Sequence, residues 1–342
     1  MSTLAELALA TTLRERLTTS FGGAVTVNAL TPLHGGAGQE NFRLDLEILE
    51  GPCAGRRVFA LRGDAASPGF GTLRRAQEFD VIRAVVRAGV RTPAVEILVP
   101  DLFGPGLDAF LMDFAPGTAL GPRIVRGPEF ETARTRLPIQ LAESLASLHA
   151  LTPATGQDLG IDRAPYLSTV DPVAAQIAGF EQALDALPAS RPASEYILRW
   201  LRRHPPVSRE IALVHGDFRT GNFLVTEHGL SAVLDWECAH WGNPLEDLAW
   251  LTLRDWRYGH LDRPVGGFGE LEPFLAAYVD LSGRPIRPAD LHWWAVAGNL
   301  RWALGALRHA LRNPGAEIEH LAIPRRAPEM EFEALRLIET GP

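Results

Sequence analysis

The chain has 342 residues, of which 46% are apolar and 22% charged, and its formal net charge is −8. That length suffices for one large domain or two lobes with separate cores, and the negative balance argues against a nucleic-acid-binding surface. No apolar run reaches the roughly 18 residues of a membrane span, so none is expected. Cys53 and Cys238 lie too far apart in sequence to suggest a disulfide framework or a zinc pattern, which suits a reducing cytoplasm. All 33 basic residues are arginine, so any role that lysine usually fills falls to another side chain.

In chain order, MSTLAELALATTLRERL carries Glu6 early and lacks a basic start, and it is read as an amphipathic helix rather than a secretory leader. VTVNALTPL, NFRLDLEIL and RVFALRG are predicted strands separated by glycine-rich or Gly-Pro turns. LRRAQEFDVIRAVVRAG is a predicted helix closed by Gly89. VEILVP and AFLMDF are two more strands, and APG follows as a connector. Beyond Gly117 helical patterns dominate: LPIQLAESLASLHAL, DPVAAQIAGFEQALDAL, ASEYILRWLRRH and ADLHWWAVAGNLRWALGALRHAL. The expectation is an α+β chain of two lobes, residues 1–114 strand-rich with one main helix and residues 115–342 larger and mostly helical.

One strand-like island interrupts the helical part. IALVHGD enters a loop, and FLVTEHGLSAVLDW reads as a hairpin turning at Thr226 to Gly229. Asn222 and Asp235 flank this hairpin and are expected at the same sheet edge, within reach of a shared ion. An amide oxygen with a carboxylate is a hard oxygen set, suited to Mg²⁺ completed by phosphate and water. Asp217, on the loop leading into the hairpin, is left free to act as a base. That arrangement serves phosphoryl transfer to a hydroxyl, in which positioning and charge neutralisation do nearly all the catalysis.

HGDFRTGN at 215–222, LDWE at 234–237 and GNPLEDLAW at 242–250 resemble the protein-kinase-like superfamily. The likeness is greatest to its small-molecule phosphotransferase branch, which includes aminoglycoside phosphotransferases and the kinase-like domain of some multidomain acyl-CoA dehydrogenases. It runs roughly from Thr31 to Leu251. The resemblance implies a two-lobe kinase-like fold, ATP or GTP as phosphate donor, and a small-molecule hydroxyl as acceptor. It also implies Asp217 as proton acceptor, Asn222 and Asp235 as Mg²⁺ ligands, and Arg219 near the transferring phosphate. His215 is expected to be a scaffold residue, and Asp247 to hold the catalytic loop.

In the strand-rich lobe, Gly35, Gly36 and Gly38 would let backbone amides approach a polyphosphate. Arg62, ending VFALR, stands where the family usually has a lysine, and its planar fork still grips phosphate and carboxylate. Glu78 shares a helix face with Val81, Ile82 and Val85. A carboxylate on that apolar stripe either reaches water at its edge or needs a cation, for which Arg62 is the candidate. FLMDFAPG resembles the interlobe hinge, whose backbone at Asp113 and Ala115 would meet an adenine edge. Asn243, Pro244 and Glu246 mark a helix start, with Glu246 reaching back to the cap. Arg301, in a nearly apolar helix, either pairs with an internal acid or faces the acceptor site. All eight tryptophans fall at Trp200 or later, mostly as core, with one or two lining the acceptor pocket.

Three readings compete on the sequence: a nucleotide-dependent small-molecule kinase, a catalytically silent kinase-like binding protein, and a metal-dependent phosphoesterase. The last ranks lowest, because its metal site needs clustered histidines and the histidines here are scattered.

Overall fold

A computed structural model describes residues 3–33, 40–64, 72–155, 171–312 and 322–342. The first helix, α1 (Thr3–Phe21), lays Leu9, Leu13 and Leu17 on the sheet that follows. The sheet comprises β1 (Val25–Pro32), β2 (Asn41–Ile48), β3 (Gly55–Gly63), β4 (Val95–Val99) and β5 (Ala109–Asp113), antiparallel throughout in the order β1-β2-β3-β5-β4. Alternation decides which face is buried: Phe42, Leu44, Leu46, Phe59 and Leu61 form one core with the α1 leucines. Gly35, Gly36 and Gly38 lie outside the described residues.

Helix α2 (Arg75–Arg87) separates β3 from β4 and ends where Gly89 takes φ 84°. Its Val81, Ile82 and Val85 are fully buried and join Phe110 and Met112 in a second core that continues into the helical part. The chain turn after α2 docks on that part as well. Val233 N–H donates to the Arg91 carbonyl at 2.6 Å, and Trp236 Nε1 donates to Thr92 Oγ1 at 3.0 Å.

The remainder is mostly helical: α3 (Gly121–Arg126), α4 (Glu131–His149), α5 (Pro172–Asp185), α6 (Pro192–Arg203), α7 (Leu245–Leu251), α8 (Leu271–Ser282), α9 (Pro288–Arg312) and α10 (Ala327–Thr340). Asp171 caps α5, its side chain accepting from Val173 and Ala174 N–H. Two small ribbons carry the island: β6 (Ala212–Val214) pairs with β9 (His240–Gly242), and β7 (Phe223–Thr226) with β8 (Gly229–Val233). The connector after β5 is pinned to the second ribbon by reciprocal bonds of 3.0 Å between Thr118 and Val225. Among the described residues no helix is long and apolar enough to cross a membrane.

Candidate functional site

The loop from His215 to Asn222 is built around Asp247 at the start of α7. Its carboxylate accepts from His215 N–H at 2.7 Å and Gly216 N–H at 2.9 Å. His149 Nε2 lies 3.3 Å from the same carboxylate while its Nδ1 meets Tyr278 Oη at 2.8 Å, so the ring bridges Tyr278 and Asp247. His215 is packed against Trp236, ring centroids 4.6 Å apart, with Nε2 on the Leu234 carbonyl at 2.9 Å. It is a scaffold residue, as expected. Gly216 is at φ 75°, and a Cβ there would stand 2.4 Å from the Cys238 carbonyl oxygen, so only glycine fits.

Burial works against ionisation of Asp247, but the His149 hydrogen bond and the electrostatic attraction of the His149 and His215 rings hold its carboxyl below the usual aspartate value of 3.8. A group lowered in this way stabilises the fold fully above its unfolded value and loses that contribution as pH falls through its folded one. Asp247→Asn should therefore cost on the order of 3 kcal/mol at neutral pH, since two buried N–H donors and His149 lose their anion. The difference from wild type should shrink below pH 3.8. Urea denaturation across that range checks both expectations, and a variant as stable as wild type at pH 7 contradicts them.

Asp217, one residue beyond that anchor, collects three donors. Asn222 Nδ2 reaches its Oδ2 at 2.7 Å, Trp250 Nε1 its Oδ1 at 2.8 Å, and Arg219 Nε spans both oxygens at 3.1 and 3.2 Å. Asn222 Nδ2 also donates to the Asp217 carbonyl at 2.9 Å, so the amide nitrogen is committed and Oδ1 is the atom left to face a cation. Arg219 stacks on Trp256, its Cζ 4.6 Å from the ring centroid. Burial opposes its charge, but Asp217 and, more weakly, Asp235 keep the guanidinium firmly protonated.

The ribbon brings Asn222 and Asp235 to the same end, as neighbours rather than as a directly opposed pair. Phe223 pairs with Val233, and Leu234 N–H donates to the Asn222 carbonyl at 2.8 Å, so Leu234 opposes Asn222. Asp235 is one residue further on, in the left-handed conformation at φ 69°, ψ 61°. That conformation is uncommon for a residue with a Cβ and concentrates at functional positions.

Asp235 meets the strand-rich part through Arg62, whose Nη2 lies 2.7 Å from Oδ1. The same nitrogen is 3.6 Å from Glu78 Oε1. Glu78 is fully buried, so its carboxylate does not reach water. Its nearer cation is Arg75, one helical turn earlier on α2, which contacts Oε2 and also reaches Glu237 Oε2 at 3.2 Å. Although burial works against their charges, Glu78 and Asp235 raise the Arg62 guanidinium, and Arg62 lowers the Asp235 carboxyl. Glu237 moves the other way: burial and then the neighbouring Asp235 charge push it up to about 7.

One expectation at the start of α7 needs correction. Glu246 does not serve chiefly to close a capping box. Its carboxylate is held by Arg301 Nη1 at 2.7 Å and lies 3.2 Å from His240 Nε2, while Asn243 Oδ1 caps α7 by accepting from Leu245 N–H at 3.0 Å. Arg301 does pair internally, yet it also contacts the Gly216 carbonyl and stacks on Trp250 with Cζ 4.7 Å from the centroid, beside the Asp217 loop. Asp113 N–H is spent on the Ala94 carbonyl at 2.8 Å, so of that residue's backbone groups only the carbonyl is open to a hinge role. Asp113 and Ala115 sit at the end of β5, and among the described residues neither bonds to the Asp217 or Arg62 groups.

Among the described residues no cluster of three or more His, Cys, Asp or Glu side chains forms a metal site. The donors here are instead one carboxylate and one amide oxygen, and Asp235 already carries a cation in Arg62. That set fits a hard divalent ion that takes its remaining oxygens from phosphate and water. Beyond Trp256 opens a groove of about 880 Å³ lined by Asp255, Trp256, Tyr258, Trp302, Met330 and Phe332, among others. Trp250, Trp256 and Trp302 form a chain of aromatic contacts, with centroids 5.7 and 5.3 Å apart, leading from the Asp217 carboxylate into it.

The phosphotransferase enzyme family model matches residues 30–283. Among curated proteins, acyl-CoA dehydrogenase family member 10 of Mus musculus is 31% identical over 181 residues, 52% of this chain and 16% of that protein. Family member 11 of Rattus norvegicus is 32% identical over 181 residues, 52% of this chain and 22% of that protein. The match thus spans about a fifth of those relatives' length. Among solved structures, a putative aminoglycoside phosphotransferase from Ralstonia eutropha JMP134 superposes with a TM-score of 0.71 at 21% identity, covering 98% of both chains. The ADP and hygromycin B complex of a thermostable mutant of aminoglycoside phosphotransferase APH(4)-Ia gives 0.56 at 18%, covering 95% of this chain and 98% of that one. At such identities these likenesses show the fold, which is kinase-like; the family match over most of the length adds the lineage, and the chain belongs to the phosphotransferase enzyme family.

Proposed function

We propose that this chain transfers the γ-phosphate of ATP or GTP to a hydroxyl of a small molecule in a Mg²⁺-dependent reaction. In this reading residues 1–114 form the nucleotide-binding lobe and residues 115–342 carry the catalytic loop and the acceptor site. One observation carries it: the Asn222 amide donates to Asp217 at 2.7 Å while its backbone accepts from Leu234, beside Asp235. Proton acceptor and cation ligands are thereby held in a single unit.

Asp217 accepts the proton of the acceptor hydroxyl and aims its oxygen at the phosphate, which favours an in-line approach. Asn222 Oδ1 and the Asp235 carboxylate would hold Mg²⁺, whose chemistry is to neutralise charge on the phosphate oxygens. Arg62 grips the polyphosphate through its fork, and Arg219 offsets charge developing on the transferred group. Gly35, Gly36 and Gly38, by their sequence, and the Asp113 carbonyl and Ala115 N–H complete the nucleotide contacts in this proposal. The aromatic groove beyond Trp256 is the proposed acceptor site. The nucleotide held by the aminoglycoside phosphotransferase APH(4)-Ia mutant complex supports the donor assignment. The two cysteines, both free thiols, suit a cytoplasmic setting.

A second reading draws on the same geometry. Arginines occupy both aspartates, Arg219 on Asp217 and Arg62 on Asp235, as in a protein that binds nucleotide and never turns it over. The purified chain with Mg²⁺ and a broad panel of hydroxylated metabolites and antibiotics should consume ATP or GTP in the presence of at least one acceptor. Thermal stabilisation by nucleotide with no turnover on any acceptor would favour the silent protein, and neither binding nor turnover would reject both.

A further inference from the structure

The Arg62–Glu78 pair expected from the sequence is the weaker half of a larger arrangement. Arg62 touches Glu78 only at 3.6 Å, and Glu78 Oε1 has no hydrogen-bond partner among the described residues. Arg75, buried to 3% exposure, does more. Its Nη1 contacts Glu78 Oε2, its Nη2 reaches Glu237 at 3.2 Å, and its Nε donates to the Gly63 carbonyl at 3.1 Å, at the end of β3. Its own backbone N–H is held by Asp64 at 3.2 Å. Asp235, Arg62, Glu78 and Arg75 therefore alternate in charge, and Arg75 also reaches Glu237, two residues from Asp235 along the chain. Leu73 N–H on the Glu237 carbonyl at 2.7 Å fastens the same junction.

A fully buried carboxylate without a cation is heavily penalised. If Arg62 were the sole partner of Glu78, moving it toward a phosphate would strip that carboxylate. With Arg75 in place the move leaves Glu78 compensated. We propose that Arg75 is a positioning residue for nucleotide binding: by holding Glu78 and Glu237 it frees Arg62 to pass from Asp235 to the phosphates of an incoming nucleotide. This rests on the phosphotransferase reading above.

The test is nucleotide affinity of the intact chain, measured with ADP and ATP by thermal shift and by fluorescence titration, with and without Mg²⁺ and without acceptor. Arg75→Met should weaken nucleotide binding about tenfold, a step of roughly 1.4 kcal/mol, because Glu78 then recaptures Arg62. Adding Glu78→Gln to Arg75→Met should return affinity to within about threefold of wild type, since the competing carboxylate is gone. Melting temperature without nucleotide separates the cases: a merely structural loss lowers the stability of Arg75→Met in step with its affinity, whereas the proposal lowers affinity at temperatures where the variant is still folded. If Arg75→Met fails to fold, Arg75→Lys and Arg75→Gln carry the test: lysine keeps a cation on Glu78 and should retain affinity, and glutamine should lose it. Equal affinity in wild type and Arg75→Met, equal affinity in the lysine and glutamine variants, or a double variant no better than Arg75→Met overturns the proposal. Wild-type chain that binds no nucleotide overturns it together with the reading it rests on, whereas binding indifferent to Arg75 overturns it alone.

Discussion

Asp217→Asn is expected to lower kcat by roughly 10²- to 10⁴-fold, the usual worth of a positioned proton acceptor, while nucleotide affinity and thermal stability stay near wild type. An amide in that position preserves volume but cannot take a proton at neutral pH. The loop should survive the change because its anchor lies elsewhere, in Asp247 on the His215 and Gly216 amides. The local cost is limited too. Of the three donors that Asp217 collects, Trp250 Nε1 can keep the remaining carbonyl oxygen, and Arg219 can turn toward its own neighbours at Trp256 and the Thr220 carbonyl. Steady-state turnover on whichever acceptor the screen supplies, with nucleotide titration as the control, checks the expectation. Retention of more than about a tenth of wild-type kcat would remove Asp217 from the role of base.

Much of this frame is visible in the sequence, for identifiable reasons. The five sheet strands show because each alternates or runs apolar between glycine turns, and a sheet with one covered face enforces that pattern. The grouping of Asp217, Asn222 and Asp235 shows because the three lie on one loop and the two ends of one short ribbon, an arrangement that local spacing dictates. Helix α3 and the pairing of β9 with β6 do not show. Each is short, and the ribbon joins segments more than 20 residues apart, so local pattern carries almost nothing about it. The buried end of Glu78 was half legible. Its place on the apolar stripe calls for water or a cation, and the strand end offers Arg62, but the nearer cation is Arg75. Arg75 and Glu78 are three apart, a helical neighbour spacing readable from the sequence alone. Trp250 belongs to the GNPLEDLAW stretch, yet nothing in a helix-start pattern says that its indole points at a loop 33 residues earlier. Which residue opposes Asn222 depends on the register shift between Leu224 and Val225 inside the ribbon, and an irregularity of one residue leaves no mark in an alternating pattern this short.

Asp235→Ala should suppress turnover more completely than Arg219→Ala, and the two losses should differ in kind. Asp235 supplies the sole carboxylate of the proposed cation set, with Asn222 Oδ1 as its neutral companion. Alanine there leaves a single amide oxygen, too little to hold a hard divalent ion, and the loss should reach roughly 10²-fold or more with no saturation as Mg²⁺ is raised. The change also releases Arg62, which remains compensated by Glu78, so the fold is not at risk. Arg219 acts in two opposed ways. In the proposed reaction its charge would favour transfer, but its Nε sits on both oxygens of Asp217, where it would compete with the acceptor hydroxyl for the same lone pairs. Removing it forfeits the first effect and relieves the second, so the net loss should be smaller, about tenfold, with an unaltered half-saturating Mg²⁺ concentration. Rates of both variants measured across a magnesium titration separate the cases, and equal, mild losses with identical magnesium curves would contradict the division of roles between the two residues.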